Sequence, residues 1–310
     1  MARASLVARG AAGVARGGAG RGSSKGMEGY IPQPRGFPPA LAALPPGCYR
    51  GAAMPHIPQA VPAAGASTPP DAPAAPLLSV VVPVRNEAPN IAPLVAEIEA
   101  ALPGVPHEIV YVDDGSSDDT PMALRKAAAA APLRHLRHRA SCGQSAAVVT
   151  GVKAARGRWI ATLDGDGQND PADIPKLLAR AQAEGGAILV AGHRVTRRDS
   201  WVKRRSSRVA NRVRARLLGD ATPDTGCGLK VFPRALFLEL PHFDHMHRFL
   251  PALVLRQGGR VVSEPVNHRP RLRGQSNYGT LDRLLVSLFD LVGMVWLQRR
   301  WRRPEVEPEG

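Results

Sequence analysis

Cysteine is scarce in this chain: three residues in 310, Cys48, Cys142 and Cys227. Three thiols cannot build a disulfide framework, and none stands in a C-x-x-C pair. Neither a stapled secreted scaffold nor a structural zinc site is expected, and a reducing cytosol is the default compartment. No apolar run reaches the ~18–20 residues that a spanning helix needs. The basic N-terminus is a poor signal peptide, because its stretch AAGVARGGAGRG is broken by Arg and Gly. There is no G-x-G-x-x-G after the first apolar strand and no G-x-x-x-x-G-K-[ST], which argues against a dinucleotide enzyme and a P-loop NTPase. Acidic residues are outnumbered, 26 against 41 Lys and Arg, giving a formal charge of +15. Such a charge favours anionic partners: nucleic acid, phosphorylated substrates or anionic lipid. Only six of the 41 are Lys. Arg suits bidentate phosphate binding, although GC-rich coding gives the same excess.

Glycine and proline, by contrast, are plentiful, 31 and 30 residues, and unevenly spread. Residues 1–76 hold 12 Gly and 13 Pro, a third of that segment. A segment of that composition cannot bury enough apolar surface to offset ordering its backbone. It is expected to be a disordered, low-complexity leader, or the product of a start codon assigned upstream of Met27 or Met54. Order is expected from LLSVVVP (77–83), a β-branched run ending in Pro that reads as a buried parallel strand. Strands are then expected at 108–112, 133–137, 159–163 and 187–192. Helices are expected at 89–102, 117–131, 143–155 and 173–183. Strand-helix alternation of this kind predicts an α/β fold: a mostly parallel central sheet with helices on both faces. Ligands then belong at the carboxyl ends of the strands. The expected organisation is a catalytic domain over 77–280, an amphipathic helix over 281–303 and a tail over 304–310.

Three strands run directly into polar, acid-bearing turns: PVRNE (83–87), DDGSSDDT (113–120) and DGDGQND (164–170). One such turn is an ordinary loop or helix cap, which suffices for Asp118 and Asp119. Three on neighbouring strand ends converge on one crevice. Asp164 and Asp166, two residues apart on extended backbone, point to one side. Gly165 between them lets a ligand approach the backbone. With the amide oxygen of Gln168 they form a hard, oxygen-only donor set suited to Mg²⁺ or Mn²⁺.

The segments SVVVPVRNE, VYVDDGSSDDT, GQSAAVVTG, ATLDGDGQNDP and HRFLPAL…HRPRLRGQSNYG, in that order, resemble glycosyltransferase family 2. Within it they are most similar to the branch of dolichol- or undecaprenyl-phosphate sugar transferases. The resemblance covers about 77–300. It implies a GT-A, nucleotide-diphospho-sugar transferase fold and a nucleotide-sugar donor, GDP-mannose or a UDP-sugar. It implies that Pro83 and Glu87 contact the nucleoside and that Val112 and Asp114 frame the base. Asp164, Gly165 and Asp166 would line the diphosphate, with Asp166, Gln168 and Asp164 at the metal. Arg194 matches an arginine that reaches phosphate. Arg271 and Ser276 match a loop that closes over the donor, and Asp224 matches an acid near the acceptor. His247 and Arg248 resemble an element near the acceptor, where a packing or capping role is equally open. Two positions depart from the pattern: Arg85 stands where many members have Tyr, and Asn277 where the closing loop usually has Lys.

Residues 194–216 contain ten Arg or Lys and one Asp. Arg204, Ser207, Arg208 and Asn211 fall at i, i+3, i+4 and i+7, one helical face. That face suits a phosphate monoester, and the resemblance puts a polyprenyl-phosphate acceptor there; a solvated basic face is the plainer alternative. Nucleic acid is not expected, since the stretch carries one aromatic, Trp201, and no stacking platform. Residues 284–297 form a 14-residue apolar core, ~21 Å of helix, interrupted by Asp290. It is too short to span a bilayer. Trp296 and Trp301 beside Arg299, Arg300, Arg302 and Arg303 suit a helix lying on an anionic membrane surface, the alternative being a terminal core helix. Spanning helices often follow the catalytic domain in this branch, so a chain ending here is expected to be peripheral, on the cytoplasmic face. A lipid monophosphate is already largely anionic at neutral pH, so inverting attack on the sugar would need no general base. Two other readings are a transferase acting on a sugar hydroxyl and a non-catalytic nucleotide-sugar-binding adaptor. The sequence says nothing about oligomeric state.

Overall fold

The run LSVVVPV forms β1 (Leu78–Val84), at the centre of the sheet. Its side chains alternate between two apolar layers, Val80, Val82 and Val84 to one and Val81 to the other, because successive Cβ atoms of a strand point to opposite faces. The computed structural model describes residues 75–194, 214–270 and 280–300. After β1 come α1 (Ala88–Ala101), β2 (His107–Asp113), α2 (Thr120–Ala128), β3 (Leu133–Arg137), α3 (Gln144–Ala154), β4 (Trp159–Thr162), α4 (Ile174–Glu184) and β5 (Ile188–Arg194). These follow the strands and helices expected from the sequence to within a few residues. A helical stretch α5 is described over 214–218. It is followed by β6 (Lys230–Pro233), α6 (Arg234–Leu238), a 3-10 turn at Met246–Arg248, α7 (Leu250–Arg256), β7 (Arg260–Val266) and α8 (Thr280–Arg299).

The seven strands lie in the order β3-β2-β1-β4-β6-β5-β7. The first four are parallel neighbours. β6 enters antiparallel to both β4 and β5, and β7 runs parallel to β5 at the far edge. Neither β6 nor β7 was legible in the sequence: one is four residues long, and the other (RVVSEPV) carries Ser, Glu and Pro. One apolar layer gathers residues of α1, α2 and α4, such as Ile91, Leu124 and Leu177. The other gathers α3, α6, α7 and Met294 of α8.

The topology sets neighbouring loops at one edge of the sheet. β4 stops at Thr162, opposite Val81. Pro83 therefore lies past the end of that ladder, where its missing N–H costs no sheet bond. The ends of β1, β2 and β4 are adjacent, as the sequence required for a shared crevice.

α8 packs and exposes at once. Met294 is buried, and Leu291, Val295 and Leu297 pack against the second layer. Leu288, Phe289, Val292 and Trp296 remain between 59% and 74% exposed. Asp290, the charge inside the apolar run, pairs with His245 Nδ1 at 2.9 Å. No helix among the described residues is long and apolar enough to cross a membrane.

Candidate active site at the strand ends

The loops after β1 and β2 are laced together. Asn86 sits at φ 55°, and its Oδ1 accepts from Ser117 N at 2.9 Å. Its own N–H donates to Ser116 Oγ at 2.9 Å, and Glu87 N–H donates to Thr120 Oγ1 at 2.9 Å. Glu87 Oε2 accepts from Asn90 Nδ2 at 2.6 Å. The turns bearing Pro83, Glu87, Val112 and Asp114 are thus one rigid wall.

Asp114 is the knot of that wall. Its carboxylate accepts from Cys142 N (2.8 Å), Gly143 N (2.9 Å), Ser141 Oγ (2.7 Å) and His138 Nδ1 (2.7 Å). Burial opposes its charge, but these hydrogen bonds outweigh it and hold its pKa below the ordinary carboxylate value. Ligand atoms of Asp114, His138 and Cys142 lie within 4.8 Å of one another. Four donors already occupy the two carboxylate oxygens, so the cluster reads as a fastening for the loop before α3 rather than as a metal cradle.

The third turn is built differently. Asp164 Oδ1 accepts from Gln144 Nε2 at 2.8 Å, and Asp166 Oδ1 accepts from the backbone N–H of Gln168 at 3.0 Å. Gln168 is held in turn by Arg269, whose N–H donates to its carbonyl at 2.9 Å. Arg269 also reaches Glu97 of α1 at 2.6 Å and the carbonyl of Asn169 at 3.0 Å. Gly165 fits because a Cβ there would collide with Val84 Cγ1. Gly228 fits because a Cβ there would collide with the Asp164 carboxylate itself. Burial first, and then the charge of Asp166, push the Asp164 pKa up; Lys230, Arg194 and Gln144 oppose. A desolvated carboxylate beside a second one is short of positive charge, which is the condition a divalent cation relieves. Asp164 and Asp166 are near enough for the charge of one to raise the pKa of the other, and their oxygen donors suit such an ion in chemistry. Asp166 faces a neighbouring hollow with Glu97 and Arg269, and the backbone ties of Gln168 keep that residue beside it.

Next to Asp164 opens a cavity of about 330 Å³, lined by Gln144, Arg194, Gly228, Lys230, His247 and Arg248 among others. Lys230 is the partner of Thr162 across β4 and β6 and is buried. Burial pushes its pKa down; Cys227, Asp164 and Asp224 oppose that shift. Its Nζ donates to the carbonyl of Cys227. Arg194 and Asp224, both expected near substrate, meet each other: Nε and Oδ2 at 2.6 Å, a terminal nitrogen and Oδ1 at 2.8 Å. The fork fixes the Arg194 guanidinium on the cavity wall. Cys227 is buried behind it with its thiol pKa raised, first by burial.

Arg204, Ser207, Arg208, Asn211, Arg271 and Ser276 lie outside the described residues, as do Asn277, Trp201 and Trp301. The sequence reading missed Gln144, Lys230 and Ser145. A lysine inside the apolar strand KVFP was the one signal available for Lys230.

A family model described as Glycosyl transferase family 2 matches residues 79–240. The dodecaprenyl-phosphate galacturonate synthase of Rhizobium johnstonii is 36% identical over 234 residues, 73% of this chain and 69% of that one. The undecaprenyl-phosphate 4-deoxy-4-formamido-L-arabinose transferase of Edwardsiella ictaluri is 36% identical over 220 residues, 69% of this chain and 66% of that one. The chain thus spans about two thirds of the length of these relatives. Among solved structures, the glucosyl-3-phosphoglycerate synthase of Mycobacterium tuberculosis with phosphoglyceric acid aligns with a TM-score of 0.53 at 20% identity, over 72% of this chain and 80% of that one. A Pyrobaculum calidifontis mannosyltransferase with GDP-Man and Mn²⁺ aligns with a TM-score of 0.52 at 22% identity, over 74% and 66%. At that identity the likeness concerns the fold, which is GT-A-like.

Proposed function

Because the chain belongs to glycosyl transferase family 2, we propose that it transfers a sugar from a nucleoside-diphosphate sugar to a polyprenyl phosphate at a membrane surface. One observation carries the choice of acceptor. The cavity beside Asp164 presents Arg194, Lys230 and Arg248, and Asp164 is the one carboxylate among its described lining residues. A hydroxyl acceptor has to lose its proton as it attacks, and so wants a positioned base. His247, the other candidate, has its pKa pushed down to about 3, chiefly by burial. A phosphate monoester needs no base: its oxygen is anionic at neutral pH and is drawn to this lining. The relatives named as undecaprenyl- and dodecaprenyl-phosphate transferases favour the same acceptor class.

In the reaction an acceptor phosphate oxygen bonds to the anomeric carbon. The bond from that carbon to the nucleoside diphosphate breaks, and the leaving oxygen keeps the electron pair. Single displacement gives inversion. Asp164, Asp166 and Gln168 would hold a Mg²⁺ or Mn²⁺ ion, which when bound supplies charge neutralisation at the diphosphate. Glu87 and the wall fastened by Asp114 orient the nucleoside. Arg194, fixed by Asp224, spreads the remaining negative charge. Arg271 and Ser276 would close over the donor, while Arg204, Ser207, Arg208 and Asn211 would extend the acceptor site. The stripe of Leu288, Phe289, Val292 and Trp296, followed by Arg299 and Arg300, would rest on anionic lipid on the cytoplasmic side.

The test is nucleoside diphosphate release from a panel of GDP- and UDP-sugars with Mg²⁺ or Mn²⁺, with and without undecaprenyl phosphate in anionic vesicles. Release that depends on the lipid for at least one donor is expected. Release from no donor, or release indifferent to the lipid, overturns this reading. In the same vesicles, a Phe289→Asp/Trp296→Asp variant should stay in solution where the wild type floats with the lipid.

A further inference from the structure

We propose that His247 is a ligand for a phosphate oxygen in the transfer reaction, donating Nε2–H into the cavity beside Asp164, and that Ser145 is the residue that positions it. The proposal rests on the reading of the acceptor as a phosphate. His247 lines the cavity of about 330 Å³ and also the adjoining hollow lined by Pro83, Thr162, Asp164 and Leu250. His247 therefore lies where the two meet, in the same linings as Asp164.

The tautomer follows from Ser145, a buried residue at the start of α3. Its Oγ accepts the backbone N–H of His247 at 3.2 Å and lies 2.7 Å from the ring Nδ1. A hydroxyl has one hydrogen to give. If Nδ1 carried the proton, both contacts would be donations to Oγ, and the buried hydroxyl hydrogen would have no acceptor among the described residues. If Oγ–H donates to Nδ1, the hydroxyl, Nδ1 and the backbone N–H are all paired and the ring proton sits on Nε2, for which no described residue is an acceptor. The ring is neutral: burial foremost, and then the neighbouring Arg248, Lys230 and His245, press against its protonation. A neutral imidazole in this tautomer is a fixed N–H donor, unsuited to take a proton at working pH. The cations around it select what it meets. Arg194, Lys230 and Arg248 share the cavity, so the group that fits is an oxyanion, and a phosphate oxygen is the oxyanion this reaction brings. It belongs either to the acceptor monophosphate or to the donor diphosphate.

The experiment compares wild type, His247→Leu, His247→Gln and Ser145→Ala in steady-state nucleotide release. It uses undecaprenyl phosphate vesicles and the donor found active, and it reads kcat, the two KM values and inhibition by the product nucleoside diphosphate. His247→Leu should lose about tenfold to a hundredfold in kcat/KM, the range of a hydrogen bond to a charged group. His247→Gln, which restores an N–H at a similar reach, should recover most of the loss, and Ser145→Ala should fall between. A loss confined to the KM for lipid assigns the oxygen to the acceptor. A loss in the donor KM with weaker product inhibition assigns it to the diphosphate. Kinetics of His247→Leu within twofold of wild type overturn the proposal, as does Gln rescuing no better than Leu, which marks a packing role. Should His247→Leu fail to fold, Ser145→Ala decides: unchanged kinetics there overturn the positioning argument. Lipid-independent release by the wild type would sink the acceptor reading alone, leaving His247 to be judged on the donor KM and product inhibition.

Discussion

The turns at 113–119 and 164–170 look alike as sequences, each a run of Asp and Gly after an apolar strand, yet they are opposite in charge economy. In the first, protein donors occupy the carboxylates. Asp113 accepts from Ser116 N at 2.8 Å and pairs with Arg137 at 3.1 Å. Asp114 accepts four donors, and Asp118 accepts from Thr120 N at 3.0 Å and Ala88 N at 3.4 Å. Asp114, although buried, and the exposed Asp118 both have pKa values lowered by these hydrogen bonds. In the second, burial and Asp166 raise that of Asp164. Composition does not separate scaffold from site. The number of donors on the central carboxylate does: Asp114, which holds four, fastens a loop, whereas Asp164, which holds one among the described residues and has its pKa raised, has a cation as its best remaining partner.

The largest effect should come from breaking the second turn. Asp166→Ala is expected to cut nucleoside diphosphate release about a thousandfold, or about 4 kcal/mol of barrier, as the loss of a metal-holding carboxylate implies. The melting temperature should move by no more than about 2 °C, since the scaffold lies elsewhere. Paired activity and thermal-melt measurements check this. A variant that melts as early as one altered at Asp114 would erase the distinction.

The reverse pattern is expected at Asp114. Replacing it by Ala leaves two backbone N–H groups, a serine hydroxyl and a histidine without their shared acceptor in a buried place. The cost should be about 3 kcal/mol in urea unfolding. Its folded pKa is depressed, so its contribution is present above the unfolded value near ~3.9 and is lost as pH falls through the folded value. The gap between wild type and Asp114→Ala should therefore narrow in acid. A gap that stays constant from pH 7 down to about 2 would show that the carboxylate charge is not what holds the loop.

That asymmetry explains what could be read beforehand. β1, β2 and β4 declare themselves as buried apolar runs, and an acidic turn at the end of each marks the crevice. The donors to Asp114 were invisible, because they stand 24 to 29 residues downstream. Ser145 and His247 are 102 residues apart, and nothing local to either foretells the contact. β6 is short and antiparallel, fixed by register with β4 and β5 rather than by its own pattern. Lys230 for the same reason looks like a surface lysine until Thr162 is set opposite it. Asp290 read as an interruption of an apolar helix, and becomes intelligible only with His245 beside it.

The smallest effect concerns stability at the second turn. A carboxylate whose folded pKa lies above its unfolded value destabilises the fold once pH exceeds the unfolded value, and most fully above the folded one. Asp164 is in that position without metal. Asp164→Asn should therefore melt slightly later than wild type in chelator at neutral pH, whereas Asp114→Asn should melt earlier. A cation that binds the folded chain should reverse the first order. At ten times its dissociation constant, Mg²⁺ or Mn²⁺ contributes about 1.4 kcal/mol, a rise of about 3–6 °C. The rise should shrink as pH falls and protons compete for Asp164, should vanish in Asp164→Asn, and should persist in Asp114→Asn. An equal rise in both variants would place the ion away from the second turn. A rise lost only at Asp114 would move it to the cluster with His138 and Cys142, and the roles assigned to the two turns would have to be exchanged.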